Sequence, residues 1–140
     1  MLNYKKTASI CLVNKNKEIL MHLRDDKPSI PYPNFWSLIS GVVEEGETPE
    51  ETVKREVKEE IGYAIKDIDF MDKILLEKNK FLSENNEIYI FKGFIDIPAE
   101  KIELTEGQEV GFFKFDKLRE LKIIPCFKEF IFRNKEKIFI

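Results

Sequence analysis

Residues 41–63 read GVVEEGETPEETVKREVKEEIGY and contain the clearest local signals in the chain. Thr48 suits the cap of a helix, Pro49 suits the first helical position, and Glu51 completes a Thr-x-x-Glu capping box. Gly62 is the residue type expected just after a helix end. The stretch therefore predicts a helix that begins after Thr48 and ends before Gly62.

The same stretch carries a concentration of acidic charge. Eight glutamates and three basic residues lie between positions 44 and 60, so this segment carries −5 in a chain of −3, and the remainder carries +2. A solvated helix face with ion pairs would explain such a cluster. A site for a hard divalent cation is the alternative, and charge alone favours the solvated face.

Helical periodicity separates these two interpretations. The apolar stripe of the helix consists of Val53, Val57 and Ile61. Directly beside it, one face carries Glu56, Glu59 and Glu60, and Arg55 falls on the remaining side. Three like charges there repel by about 2 kcal/mol per pair at an effective dielectric of about 20, so a half-buried face would either raise the pKa values of the carboxyls or recruit a counter-charge. Because the ligands are oxygens alone, Mg²⁺ is favoured, with Mn²⁺ as the second choice, and Mg²⁺ sites usually add substrate phosphates.

The spacing Gly41, five residues, Glu47, seven residues, then Arg55-Glu56-Val57-Lys58-Glu59-Glu60-Ile61-Gly62-Tyr63 resembles the box of the Nudix (MutT-like) hydrolase family. All the fixed residues of the box are present. Tyr63 stands where an aliphatic residue is usual, and Ser40 stands where a second glycine is frequent. The resemblance implies a single Nudix domain over residues 1–140, with an α/β/α sandwich in which a mixed β-sheet lies between helices.

The resemblance also implies roles for the box residues. The implied direct metal ligands are the Glu59 and Glu60 carboxylates and the Gly41 carbonyl. Glu56 is either a further ligand or the general base for the attacking water, and Glu47 lies in the outer coordination shell. Arg55 pairs with a box glutamate and fixes its rotamer, which is a supporting task at a metal site. An ordinary surface ion pair is the alternative for Arg55.

Many members of the family add one carboxylate from a loop on the far side of the sheet. The candidates are Glu106 and Glu109. Glu109 is preferred because it directly precedes a predicted strand at 110–115. A solvated acidic loop without a catalytic role is the alternative.

Candidates for substrate contacts lie before the box. Arg24 and Lys27 flank a proline-rich loop and could bind phosphates, although a solvent-facing position is as good an interpretation. Phe35 could stack on a nucleobase, but core packing is the more frequent use of such a ring. The Ser40 hydroxyl could contact a phosphate. His22 is the one histidine of the chain, and we expect it to be a sheet residue rather than a catalytic one.

The reaction implied by the resemblance is Mg²⁺-dependent hydrolysis of a diphosphate bond in a nucleoside diphosphate linked to a second group. A nucleoside triphosphate, oxidised or not, would give the monophosphate and pyrophosphate. The alternatives are hydrolysis of nucleotide sugars or ADP-ribose, removal of a 5′ pyrophosphate from RNA, and a non-catalytic module that senses a nucleotide. Isopentenyl diphosphate isomerase chemistry would require a cysteine near the box, and neither Cys11 nor Cys126 lies there.

Composition limits the remaining possibilities. A chain of 140 residues with 43% hydrophobic residues can form one core, and a net charge of −3 argues against a broad basic face for nucleic acid. The apolar run at 8–13 is too short for a signal peptide or a membrane span. The two cysteines read as buried apolar residues in a reducing compartment. We therefore expect a cytoplasmic monomer or homodimer that acts on a small nucleotide-type molecule, without stable nucleic-acid or membrane partners.

Patterning along the chain predicts the other elements. Strands are expected at 7–13, 18–24, 35–39, 87–97 and 110–115, with one or two more within 63–76. A hairpin turn is expected at 14–17, a short helix from Asp116 to Leu121, and a last helix from Pro125. This mixture predicts an α/β sandwich.

Overall fold

The computed structural model describes residues 3–140 and arranges them around a mixed sheet of seven strands. The strands are β1 (Lys5–Val13), β2 (Glu18–Leu23), β3 (Trp36–Ser37), β4 (Ile39–Val42), β5 (Ile68–Leu76), β6 (Asn86–Phe94) and β7 (Glu109–Lys114). The helices are α1 (Pro49–Ile61), α2 (Pro125–Arg133) and α3 (Lys135–Ile138), with short 3-10 helices at Ala99–Lys101 and Phe115–Glu120. The strand order is β3-β2-β1-β6-β5, with β4 paired to β1 and β7 paired to β2. The β1–β6 pair is parallel and the other pairs are antiparallel.

The central strand β1 is buried on both faces. Ala8, Ile10 and Leu12 pack in the core that includes α1. Cys11 and Val13 pack in the core that includes α2 and α3. Because side chains alternate along a strand, one strand supplies both cores. The predicted α/β fold, with a mixed sheet between helices, is confirmed.

Helix α1 forms as its sequence predicts. The Thr48 hydroxyl accepts a hydrogen bond from the Glu51 amide at 3.2 Å, and the Glu51 carboxylate accepts one from the Thr48 amide at 2.9 Å. Gly62 adopts a left-handed conformation with φ of 70°, and its amide donates to the Lys58 carbonyl. These two caps satisfy backbone groups that the helix leaves free at its ends. The predicted limits of the helix are confirmed.

The strand predicted over 35–39 is divided in two. Trp36 pairs with β2, whereas Ile39 pairs with β1. The chain therefore changes its partner strand at Leu38, a buried residue that is 1% exposed. Periodicity along the sequence does not reveal this change, because both halves are equally suited to a strand.

The two cysteines are free thiols, as expected. Burial raises the pKa of both Cys11 and Cys126 to about 12, so both stay protonated at neutral pH. Among the described residues, none of the helices has the length and apolar character needed to cross a bilayer.

Candidate active site

Arg55 forms ion pairs with Glu47, Glu56 and Glu59, and these side chains make up one part of an acidic site. Its Nε donates to Glu47 Oε2 at 2.8 Å and its Nη2 donates to Glu47 Oε1 at 3.0 Å, which makes a two-pronged pair. Its Nη1 donates to Glu56 Oε1 at 2.8 Å and to Glu59 Oε2 at 3.3 Å. The expectation that Arg55 occupies the remaining side of the helix and points away from the glutamates is therefore wrong. Glu59 follows Arg55 by four residues and so lies next to it on the helix, and the pairing with box glutamates is present.

These hydrogen bonds shift the pKa values of both Glu47 and Arg55. The hydrogen bonds from Arg55 lower the pKa of Glu47 to about 2, and a hydrogen bond from the Thr52 hydroxyl at 2.6 Å adds to this effect. The same bonds raise the pKa of Arg55 above its ordinary value. Glu47 therefore remains ionised and paired over the physiological pH range.

Glu60 forms a second part of the site with a different character. The residue is only 5% exposed, and its Oε2 atom is buried without a hydrogen-bond partner among residues 3–140. The Glu106 carboxyl lies within hydrogen-bonding reach, but two ionised carboxylates offer only acceptors to each other. Burial, followed by the nearby Glu106, raises the pKa of Glu60 to about 9. The pair therefore requires a shared proton or a cation.

Glu56 lies against the backbone of the box glycine. A Cβ atom at Gly41 would fall 2.3 Å from Cγ, Cδ and Oε1 of Glu56, so a side chain at this position would displace the Glu56 carboxyl. The Glu56 side chain is 16% exposed, and its burial raises the pKa of the carboxyl. The glycine at the start of the box thus allows the Glu56 side chain of helix α1 to lie directly against the backbone of strand β4.

The preference for Glu109 as the far-side carboxylate stays a prediction, although Glu106 is the loop carboxylate that lies beside Glu60. Glu109 lies at the start of β7, opposite Leu23 in β2. Within residues 3–140, the carboxyl that affects both Glu60 and Glu56 is that of Glu106. Proximity to a strand favoured Glu109, but the loop before β7 bends back to α1 and carries Glu106 there.

The helix glutamates do not all converge. No three His, Cys, Asp or Glu side chains of residues 3–140 meet in an arrangement that holds a metal ion as they stand. Arg55 holds Glu56 and Glu59 on its own side, and the Glu59 side chain is 58% exposed. Tight convergence of these carboxylates with Glu60 was expected, and that expectation is wrong for the side chains as they lie here. The donor chemistry still fits Mg²⁺, because the unpartnered Oε2 of Glu60 and the Gly41 carbonyl are both oxygens.

A cavity of about 300 Å³ opens beside the box, between β1, β6 and the start of α2. Arg24 and Ser40 line it, together with Gly41. The Ser40 hydroxyl is already held by the Ser9 hydroxyl at 2.6 Å and the Leu38 carbonyl at 3.2 Å. Arg24 also lies close enough to Glu60 and Glu106 for their charges to act on it.

The other two predicted substrate residues lie elsewhere. Lys27 is exposed, pairs with Asp25 at 3.9 Å and is not part of the cavity lining in the described chain. Phe35 is 7% exposed and packs edge-on against Tyr32 and Phe81, so it belongs to the core. The hypothesis of base stacking by Phe35 is therefore wrong, since its ring faces are already in use.

Sequence reasoning missed several residues of the cavity wall. Those distant from the box include Asn86, Cys126 and Phe127. They come from two separate segments, and no spacing within the sequence links them. His22, which hydrogen-bonds the loop that carries Glu106, was also left without a role in the site.

A family model described as NUDIX domain matches residues 3–133, and the chain therefore belongs to the Nudix family. The dihydroneopterin triphosphate diphosphatase of Escherichia coli K12 is 43% identical to this chain over 61 residues, which are 41% of this chain and 37% of that protein. Nudix hydrolase 26 of Arabidopsis thaliana, a chloroplastic protein, is 39% identical over 59 residues, which are 42% of this chain and 25% of that protein. These matches thus cover well under two thirds of either relative.

Solved structures agree on the fold. The crystal structure of a MutT protein from Methanosarcina mazei Go1 has a TM-score of 0.84 to this chain at 22% identity. The match covers 97% of this chain and 96% of that one. At this level of identity the likeness is a statement about fold, and the function has to be argued from the site.

Proposed function

We propose that this chain is a Mg²⁺-dependent hydrolase that cleaves nucleoside triphosphates, oxidised ones included, to the monophosphate and pyrophosphate. The observation that carries the proposal is the buried Glu60 carboxylate, whose Oε2 has no partner and which lies within reach of Glu106. A buried carboxyl that has an unpartnered oxygen and lies beside a second carboxyl is typical of a ligand site. Family membership and a relative that is named a triphosphate diphosphatase support the same reaction class.

Glu59 and Glu60, with the Gly41 carbonyl, are the proposed direct ligands of Mg²⁺ or Mn²⁺. Glu47 is proposed for the outer coordination shell. The ion, when bound, would stabilise the negative charge that develops on the phosphate oxygens. Glu106 lies beside Glu60 and is the proposed additional carboxylate of the site.

Glu56 is the proposed general base. It would accept a proton from water as the water oxygen bonds to phosphorus and the bond to the bridging oxygen breaks. Arg55 donates a hydrogen bond to Glu56 Oε1 at 2.8 Å, and the backbone of Gly41 lies against the same carboxyl. The proposed base is therefore oriented before substrate arrives. Its raised pKa brings it closer to the range in which a carboxylate accepts a proton at neutral pH.

Arg24 is the proposed phosphate contact, because it lines both the cavity and the edge of the acidic site. A cavity of about 300 Å³ lies at the lower end of the range for small-ligand pockets. Its position next to Gly41 would place a bound nucleoside beside the proposed ligands.

The test is a panel of phosphate compounds with Mg²⁺, in which wild type is compared with Glu59→Gln. Nucleoside triphosphates should give the monophosphate and pyrophosphate, and Glu59→Gln should lower kcat by several orders of magnitude with the melting temperature kept. Glu50→Gln, an exposed glutamate of the same helix, is the matched control and should retain turnover. Turnover of Glu59→Gln within about tenfold of wild type would exclude this site.

Other outcomes of the panel would replace the substrate class. Faster cleavage of nucleotide sugars, ADP-ribose, dihydroneopterin triphosphate or 5′-triphosphorylated RNA would contradict the nucleoside triphosphate. Binding of nucleotide without any turnover would contradict the enzyme assignment and indicate a nucleotide sensor.

A further inference from the structure

The loop at residues 105–108, here called the Glu106 strap, is fixed at both ends. The Thr105 amide donates to the Glu60 carbonyl at 3.3 Å, at the end of α1. The Gln108 amide donates to the Leu23 carbonyl at 2.8 Å, at the end of β2. The strap therefore connects the helix that carries the box to the sheet, and the residue that carries the carboxyl lies between the two anchors.

His22 holds the middle of the Glu106 strap. The residue is 4% exposed in β2, between Ser37 of β3 and Val110 of β7. Its Nε2 atom lies 3.0 Å from the carbonyl oxygen of Glu106. A carbonyl oxygen only accepts, so Nε2 carries the hydrogen and donates it. A ring held by the sheet thus fixes the backbone of Glu106.

Gly107 allows the strap to approach the ring this closely. Its φ is +90°, a backbone conformation that other residues rarely adopt. A Cβ atom at this position would fall 1.9 Å from Nε2 of His22 and 2.9 Å from the Leu23 carbonyl oxygen. Any side chain at position 107 would push the strap away from the sheet, and Glu106 would move with it.

We propose that His22 is a positioning residue, whose hydrogen bond to the Glu106 carbonyl holds the Glu106 carboxyl beside Glu60. The inference rests on the proposed function in one step, namely that Glu60 and Glu106 act together on a divalent cation. His22 touches neither the proposed ion site nor the cavity of about 300 Å³, and it acts through the strap alone.

The first experiment needs no metal. Amide hydrogen exchange in the presence of EDTA should show that His22→Leu speeds exchange at the bonded amide of Gln108 by about tenfold, which corresponds to the loss of one hydrogen bond. Amides within α1 should be unchanged. His22→Gln retains an Nε2 donor and should keep the protection within about threefold of wild type.

Gly107→Ala tests the same strap without changing the ring or the sheet, and it replaces His22→Leu if that variant fails to fold. Gly107→Ala should speed hydrogen exchange at the Gln108 amide, as His22→Leu does. Unchanged exchange at Gln108 in the folded His22→Leu or Gly107→Ala protein would overturn the inference.

The second experiment measures Mn²⁺ binding by electron paramagnetic resonance without substrate. His22→Leu should weaken Mn²⁺ affinity by about tenfold in the wild-type background and leave it unchanged in Glu106→Gln, because the two changes act through one carboxyl. Equal weakening in both backgrounds would indicate a general structural effect and would overturn the inference. If wild type bound no Mn²⁺, the proposed function would fail, and the exchange experiment would still decide the role of His22.

Discussion

Two parts of the acidic site contain the same kind of residue in opposite electrostatic states. Glu47 is paired by two hydrogen bonds from Arg55, and its pKa is lowered to about 2. Glu60 is buried with an unpartnered oxygen, and its pKa is raised to about 9. Both are glutamates of one box, within the same acidic segment. Their surroundings, and not their residue type, make one a structural group and the other a candidate ligand.

The difference has an energetic consequence. A paired carboxylate stabilises the fold, because its hydrogen bonds favour the ionised form that exists at neutral pH. A buried carboxyl next to another carboxyl destabilises the fold as soon as it ionises. Such groups persist where a ligand compensates for them, which is the reason for treating the part around Glu60 as the reactive one.

The largest expected effect comes from removing the charge of the unpaired part. Glu60→Gln should lower kcat by about a thousandfold and abolish saturable Mn²⁺ binding, because it removes a proposed ligand. The fold should remain, since the amide has nearly the same shape. Steady-state kinetics and a Mn²⁺ titration measure both effects. Retained Mn²⁺ affinity in a folded Glu60→Gln protein would contradict the assignment.

The next effect separates the two loop carboxylates. Glu106→Gln should weaken Mn²⁺ affinity by 10-fold to about 100-fold, since it removes the carboxyl beside Glu60. Glu109→Gln should change it by less than about twofold, because the charges that act on Glu56 and Glu60 include that of Glu106 and not that of Glu109. The same Mn²⁺ titration, performed on both variants, shows which of the two loop carboxylates contributes to metal binding. A larger loss in Glu109→Gln would support the preference drawn from the sequence.

Breaking the paired part should affect stability. Arg55→Met should cost about 2 kcal/mol and lower the melting temperature by about 6 °C, because Glu47 and Glu56 lose their partner while mostly buried. Arg55→Lys should recover only part of the loss, since an ammonium cannot form the two-pronged pair. Lys58→Met, on an exposed position of the same helix, is the control. A melting temperature of Arg55→Met equal to that of the control would refute the structural role.

The last expected effect is a gradual dependence of metal-free stability on pH. The folded state holds the Glu60 proton up to about pH 9, whereas the ordinary value is 4.5, so the stabilisation is complete below pH 4.5 and is lost as the pH rises towards 9. Glu47 acts in the opposite sense, because its contribution is lost as the pH falls from 4.5 towards 2. Melting curves with EDTA should show a decline between pH 4.5 and about 9 that is absent in Glu60→Gln. Parallel curves for the two proteins would contradict the raised pKa.

Local sequence patterns predicted much of the fold, and the spacing of the fixed residues identified the box. The caps at Thr48 and Gly62 depend on residues a few positions away, so the sequence shows them directly. The buried stripe at Val53 and Val57 follows from the helical period in the same way. The predicted ligand and catalytic roles of the box residues remain predictions, which the variants above are designed to test.

Contacts between distant segments account for the errors. Arg55 reaches Glu47 and Glu56 together only because the box loop folds against α1, and Phe35 enters the core only because Phe81 meets it from another loop. His22 and Glu106 are 84 positions apart along the chain.

Helix ends, strand periodicity and the order of the carboxylates could be read from the chain alone, because each arises from neighbours within a few residues. Only the packed fold decided which carboxylates are paired and which are not. It also decided that Glu106 lies beside Glu60 and that a cavity forms beside Gly41. These features depend on burial and on the partners that burial brings together. Residues far apart in sequence supply both, and no spacing along the chain records them.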